Sequence, residues 1–392
     1  MGRVYLDHNA TTPLRPEARA AMSAAMDING NPSSVHAEGR AAKLLVERAR
    51  VQVADLVGCK PNQVIFTGSA TEAAALAVAQ KHQHGGIFAA LPTEHDCFGA
   101  WSETALAPLW GHDGELDPDG ASTFLNAVCE MAGDGGRPGG GAVALVAMSA
   151  ANSETGVMAP DRSVVPGGYF DAPQAGTVPY SVVCDITQMA GKVPVTYGDT
   201  RPAYMILSAH KLGGPKGVGA LINFTAEDPQ AIVRGGGQEM GRRSGTENVI
   251  GIAGFGAAAE AAHRDVTAGR WDAVEKLRKI LENTLAAAAK TTIFVGKDAE
   301  RLPNTLCFAT PGWKGEAQVI QMDLAGFAIS AGSACSSGKV RASTVLRAMG
   351  YDENTASSAI RVSLGLETTH EDVQRFAAAW LAQERKFRAR AA

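Results

Sequence analysis

Met205-Ile206-Leu207-Ser208-Ala209-His210-Lys211-Leu212-Gly213-Gly214-Pro215-Lys216-Gly217-Val218-Gly219-Ala220-Leu221 is an apolar run that stops at polar residues and then breaks into glycines. It reads as a buried strand ending in a site. An amine placed there can lose its proton through burial and attack an aldehyde, which is how a lysine carries a Schiff-base cofactor. A surface lysine beside a glycine turn fits the same residues, so the flanking sequence must separate the two.

Upstream, three further apolar runs end the same way. Gly86 to Leu91 leads into Thr93-Glu94-His95, Ala142 to Met148 into Asn152-Ser153-Glu154, and Tyr180 to Cys184 into Asp185-Ile186-Thr187-Gln188. With 208–211 these clusters look like one site along the carboxyl edge of a mostly parallel sheet. Gln63 to Thr67 is another strand; Gly68-Ser69-Ala70-Thr71-Glu72 then opens a Thr-capped helix of small residues. Free N–H groups and a positive dipole end make such a start an anion cradle, although an ordinary capped helix reads the same. His95 sits just past a strand end, where ligand groups fall, although a lone histidine is more often a structural hydrogen-bonder.

Further out, residues 4–12 read as a short strand and a polar turn, followed by helices at Pro16–Met26 and Ala37–Leu56. After a strand at 218–222, the run 234–248 sets glycines among arginines and hydroxyls, a composition suited to a phosphate or a partner subunit. Helices at 248–262 and 271–288 flank a domain boundary at about 262–270. The remainder mixes strands near 292–295, 304–308, 328–330 and 359–363 with helices near 317–325, 343–349 and 371–388. Residues 133–141 read as a surface loop and 160–179 as an irregular excursion.

The chain has 392 residues, enough for two domains, with 45% apolar and 19% charged residues and a formal net charge of −4. That balance points to a small-molecule partner and away from nucleic acid. The cysteines at 59, 97, 129, 184, 307 and 335 show no paired short spacing, so neither a metal site nor a disulfide framework is expected. Reduced thiols fit a cytoplasmic protein. No signal-like segment or membrane span is visible.

A cofactor with an aldehyde, a pyridinium ring and a phosphate needs a lysine, an acid for the ring nitrogen and an anion cradle. Lys211, Asp185 and Ser69-Ala70-Thr71 with Ser208 and His210 meet these needs, while Gln188 can reach a ring oxygen and His95 a ring face. Cys335, set among Gly, Ser and Ala, reads as an exposed reactive thiol or as a small residue in a tight turn.

Seven strings in order, Tyr5-Leu-Asp-His-Asn-Ala-Thr-Thr-Pro13, Gly30-Asn-Pro-Ser-Ser-Val-His36, Thr67-Gly-Ser-Ala-Thr-Glu72, Thr93-Glu-His95, Ser208-Ala-His-Lys211, Arg243-Ser-Gly-Thr-Glu-Asn248 and Ser330-Ala-Gly-Ser-Ala-Cys-Ser336, closely resemble a cysteine desulfurase. That family, with its NifS/IscS-like branch, belongs to the class V, fold-type I enzymes dependent on pyridoxal 5′-phosphate. The resemblance implies an α/β fold: a large cofactor-binding domain, residues 14–262, with a mostly parallel seven-stranded sheet between helices. A smaller α+β domain, residues 1–13 and 263–392, would carry the catalytic cysteine.

By the same resemblance the enzyme takes sulfur from L-cysteine and releases L-alanine. Lys211 would carry the cofactor and move protons at the substrate carbon, with His95 as the third catalytic residue; Cys335 would accept the sulfur as a persulfide. Ala70, Thr71, Asn152, Ser153, Asp185, Gln188, Ser208 and His210 would hold the cofactor. Asn31 and Arg361 would bind substrate, with Arg361 on its carboxylate. Thr246 would reach the phosphate bound in the neighbouring subunit of a homodimer. The long cysteine segment resembles the branch that donates to iron–sulfur scaffold proteins.

Three positions depart from the family pattern. Ser153 stands where a second asparagine is usual, Ala75 where many members carry asparagine, and 160–179 does not look like the family's helix. Another enzyme of the same fold, such as a selenocysteine lyase or an aminotransferase, and an inactive partner protein are the alternative readings.

Overall fold

The computed structural model describes residues 2–103, 144–159, 180–196, 201–332 and 342–391, with positions 111, 120, 123, 127 and 130. The chain opens with β1 (Val4–Tyr5), α1 (Pro16–Met26) and α2 (Ala37–Val57). Pro16 sits at the start of α1, where its missing N–H costs nothing. α2 starts at His36, whose ring accepts from the Gly39 N–H, and ends on left-handed Gly58.

The central sheet is built from β2 (Val64–Thr67), β3 (Phe88–Ala90), β4 (Leu145–Ser149), β5 (Ser181–Asp185), β6 (Tyr204–Ser208) and β7 (Gly219–Asn223). Its order is β2-β7-β6-β5-β4-β3. Neighbours from β3 to β6 are parallel, and β7 runs against both β6 and β2. Six strands pair among the described residues, where seven are expected from sequence; no described residue supplies a seventh. Burial of both faces explains the near-continuous apolar runs.

Alternate residues feed two cores. Phe66, Met205 and Leu207 join Val46 and Val53 of α2 and Phe255 of the helix Val249–Thr267. Ile65, Tyr204 and Ile206 face the other way, against Leu76 of α3 (Ala70–Ala79). The small residues of Val249–Thr267 serve close packing: a Cβ on Gly256 would lie 2.5 Å from the Ala49 Cα.

Gly219 does the same for the start of α3. A Cβ there would lie 2.5 Å from the Ser69 carbonyl carbon and 2.7 Å from the Ala70 nitrogen. Backbone cannot yield as a side-chain tip can, so Gly219→Ala should cost about 1–3 kcal/mol in urea unfolding. An unchanged midpoint would show that the helix start does not rest on β7.

The last third forms β8 (Ile293–Phe294), β9 (Thr305–Ala309), β10 (Phe327–Ala328), β11 (Ser330–Ala331) and β12 (Ala359–Ser363). Four of them make an antiparallel sheet in the order β11-β12-β9-β8, while β10 pairs in parallel with β1. Their core is a separate aromatic cluster of Phe308, Trp313, Phe327, Phe376 and Trp380, with helices Arg270–Ala288 and His370–Ala391 packed beside it. Ala268 and Gly269 alone separate Thr267 from Arg270, and Gly269 takes a left-handed φ of 66°. The N-terminal segment joins both parts: β1 pairs with β10 and Asp7 bridges to Ser363, while Thr12 donates to the carbonyls of His210 and Lys211.

Candidate active site

The polar residues that follow the strands meet at one edge of the central sheet. In-register pairing sets Ser149 opposite Asp185, and Asp185 opposite Ile206, so β4 and β5 end level and β6 runs two residues further, to Ser208. A cavity of about 320 Å³ opens there. It is lined by Ala70 and Thr71 from the start of α3, His95 beyond β3, Ser153 beyond β4, Asp185 and Gln188 beyond β5, and Ser208, His210 and Lys211 beyond β6. Arg361 of β12 enters from the second sheet.

Lys211 lies in a single 3-10 turn, Ala209–Lys211, directly after β6. Its Nζ donates to the carbonyls of Asn9 at 2.6 Å and Ala10 at 3.0 Å. The N-terminal turn holds the same peptide from the other side: Thr12 Oγ1 donates to Lys211 O, and Thr12 N to His210 O. His210 Nδ1 lies 3.1 Å from Thr11 Oγ1. Burial first, and then the neighbouring Lys211 and Lys216 charges, hold His210 down at about 4, so its ring is neutral at pH 7.

Asp185 is buried and accepts from Thr187 N at 2.8 Å. Gln188 donates through Nε2 to Asn9 O at 3.0 Å, sharing that carbonyl with Lys211. Behind it Lys192, 3% exposed, donates to Gln188 O at 2.7 Å. Burial, then the Lys211 and Arg361 charges, push the Lys192 amine down to about 7.

The helix start differs in detail from the sequence expectation. Ser69, not a threonine, caps α3 by accepting from Glu72 N at 3.1 Å. Glu72 in turn accepts from Gly68 N at 2.7 Å, the residue just before the cap. Thr71 falls inside the first turn and lines the cavity. Arg243 pairs with Glu72 at 2.8 Å and ties the 234–248 loop to this turn.

His95 caps the short helix Asp96–Gly99, its Nδ1 accepting from Cys97 N at 3.1 Å. Next to it Glu94 accepts from Ser149 N at 2.9 Å and Ser149 Oγ at 2.5 Å. Burial outweighs both hydrogen bonds and, with the nearby Asp185 charge, pushes the carboxyl up to about 8. The folded protein therefore keeps a proton that the unfolded chain releases above about pH 4.5. The stability this contributes is complete below that pH and is lost as pH rises through about 8. Glu94→Gln should accordingly flatten the fall in urea stability between about pH 5 and 8, by up to about 1.4 kcal/mol per pH unit. An unchanged slope would show that Glu94 is ionised throughout.

Not every expected residue reaches the cavity. Asn152 does not line it, because its amide is spent on a local turn: Nδ2 donates to Thr93 O, and Oδ1 accepts from Glu154 N and Thr155 N. Asn31 and Thr246 are exposed and do not line it either. Their segments are neighbours on the surface, since Gln238 donates to Ser33 Oγ and accepts from Gly245 N. Cys335 and residues 160–179 lie outside the described residues. Among the other cysteines, 97, 184 and 307 are buried and 59 is half-buried, as their apolar settings imply.

Sequence reasoning missed Asn9, Ala10, Cys97 and Thr187, which all line the cavity. Asn9 and Ala10 stand within a quoted motif but act on Lys211 through their carbonyls, for which no side-chain signal exists.

Known proteins resemble this chain along nearly its whole length. Residues 4–376 match the model of the family described as aminotransferase class-V. A relative from Cereibacter sphaeroides named cysteine desulfurase is 37% identical over 96% of this chain and 94% of its own length. Another from Anaeromyxobacter sp. (strain Fw109-5), named cysteine desulfurase IscS, is 36% identical over 98% of this chain and 93% of its own. The X-ray structure of a NifS-like protein from Rickettsia africae ESF-5 superposes with a TM-score of 0.81 at 27% identity, covering 97% of this chain and 99% of that one. The chain belongs to the class-V aminotransferase family, among its NifS/IscS-like cysteine desulfurases.

Proposed function

We propose that this enzyme is a pyridoxal 5′-phosphate-dependent cysteine desulfurase that converts L-cysteine to L-alanine and passes the sulfur on for iron–sulfur cluster assembly. One observation carries the reading. The Lys211 amine, the Asp185 carboxylate, the first turn of α3 and Arg361 share a single cavity of about 320 Å³.

The residues present fit the cofactor. Gly219 leaves the backbone at Ser69 and Ala70 clear to form a phosphate cradle. Thr187 Oγ1 and Arg361 Nε are buried at the cavity wall with no hydrogen-bond partner among the described residues. Lys211 would hold the aldehyde and Asp185 the ring nitrogen. Ala70, Thr71, Ser208 and His210 would hold the phosphate, with Gln188 and Ser153 beside the ring and His95 over its face. When bound, the cofactor supplies an electron sink for charge developing at the substrate α-carbon.

The remaining work falls to side chains. Arg361 grips the substrate carboxylate, a planar pairing that suits a guanidinium. Lys211 moves protons at the α-carbon. Cys335 attacks the substrate sulfur and keeps it as a persulfide, while the carbon it leaves takes up a proton to become alanine.

Asn31 and Thr246, exposed on one face, would complete the site of a second copy in a homodimer. We place the large domain at residues 14–262 and the small domain at 1–13 and 263–392, and take the acceptor to be a scaffold protein in the cytoplasm. The test is incubation of purified protein with L-cysteine, reading alanine, sulfide and the mass of Cys335. Absence of alanine would refute the proposal.

A further inference from the structure

Arg361 does not stand alone in the cavity wall. It lies in β12, where Ser330 of β11 is its direct cross-strand partner and Asp7 bridges to Ser363 further along the same edge, the opposite edge being paired with β9. Residues 361 and 363 share one face of the strand, so Asp7, Arg361 and Ser330 converge there. A single carboxylate oxygen, Asp7 Oδ1, accepts from Arg361 Nη2 at 2.9 Å and from Ser330 Oγ at 2.8 Å. Ser153 O accepts from the other terminal nitrogen, Nη1, at 2.9 Å.

Asp7 is itself held in place. Tyr5 donates its hydroxyl to the carbonyls of Asp7 and Thr11, and Asn9 N donates to Ser363 Oγ. The guanidinium is 3% exposed and is fixed through both Nη atoms. An arginine side chain left free carries about 2 kcal/mol of rotamer entropy, which a ligand must otherwise remove. Two anchors on different nitrogens fix the plane of the group before any ligand arrives.

We propose that Asp7 positions Arg361 for an α-carboxylate and thereby sets the enzyme's preference for amino acids over simple amines. This rests on the reading that Arg361 takes the substrate carboxylate. Asp7 has no contact with the ligand in this scheme. Its effect is confined to ligands that carry the group Arg361 holds.

The test titrates the holoenzyme with L-alanine and with ethylamine, which lacks the carboxylate, following the cofactor absorbance. Asp7→Asn should weaken L-alanine about tenfold, equivalent to about 1.4 kcal/mol, and leave ethylamine within about twofold. Ser330→Ala, which keeps the Asp7 charge but frees its oxygen, should weaken L-alanine about threefold by the same logic. Equal weakening of both ligands, or of neither, in Asp7→Asn overturns the proposal. If Asp7→Asn yields no holoenzyme, Ser330→Ala decides, and an unchanged preference there overturns it. Arg361→Lys separates the two levels: a preserved preference refutes the role of Arg361 itself, whereas its loss there with a normal Asp7→Asn refutes only the role of Asp7.

Discussion

Replacing Lys211 by alanine should remove the cofactor's absorbance band and lower L-alanine formation by about 10³-fold or more. Two roles are lost at once: the covalent anchor and the group that moves protons at the α-carbon. The N-terminal turn should survive, because Thr12 holds the backbone of residues 210 and 211 rather than the amine. The Asn9 carbonyl would also keep its Gln188 donor. Visible absorbance, alanine assay and urea unfolding on one preparation check this. A variant that kept its band would place the cofactor elsewhere, and a variant that lost stability with activity would make the lysine a packing residue.

Cys335→Ala should give a contrasting result. Its cofactor band and its spectral response to L-alanine should match those of the parent protein, since on the proposed reading Cys335 serves the substrate sulfur and not the cofactor. Alanine formation from L-cysteine should nonetheless fall on the order of 10³-fold, as for removal of any nucleophile that acts with its partners as a unit. The mass increase of one sulfur atom after exposure to L-cysteine should disappear as well. Undiminished alanine would mean that sulfur leaves without a protein thiol, and the persulfide route would be wrong. Together the two variants divide the chemistry between a lysine that serves the cofactor and a cysteine that selects sulfur transfer.

Much of this could be read from the chain because the sheet is buried on both faces. Each strand is then a short apolar block, and the polar residues after it mark its carboxyl end, as at Ser149, Asp185 and Ser208. The ends of β4 and β5 are level and that of β6 lies two residues beyond, which is why clusters far apart in sequence fall into one cavity. Helix limits were legible where chemistry punctuates them, as at Pro16.

What escaped was whatever depends on who sits opposite. The cap of α3 was expected of a threonine, yet it is Ser69 whose hydroxyl accepts from Glu72 N. Asn152 looked available for a ligand, yet its own following backbone consumes it. Lys192 carries no signal in the sequence, and only burial behind Gln188 gives it an unusual amine. Asn31 and Thr246 carry family motifs whose use, on the present reading, needs a second copy. No single chain could therefore display it.

The grip of Asn9 and Ala10 on the lysine amine has a consequence for how the enzyme is made. Asn9 is itself locked by residues that emerge late: its amide contacts Thr305 and Asn304, and its N–H reaches Ser363, 354 positions further on. A ribosome therefore releases the floor of the lysine pocket first and the clamps that fix it almost last. Contacts of such span close slowly. Domains otherwise tend to fold as they emerge, so the central sheet can assemble around Lys211 while the amine still lacks its N-terminal acceptors. The carbonyls that hold the amine are then fixed only once the strand carrying Ser363 has formed.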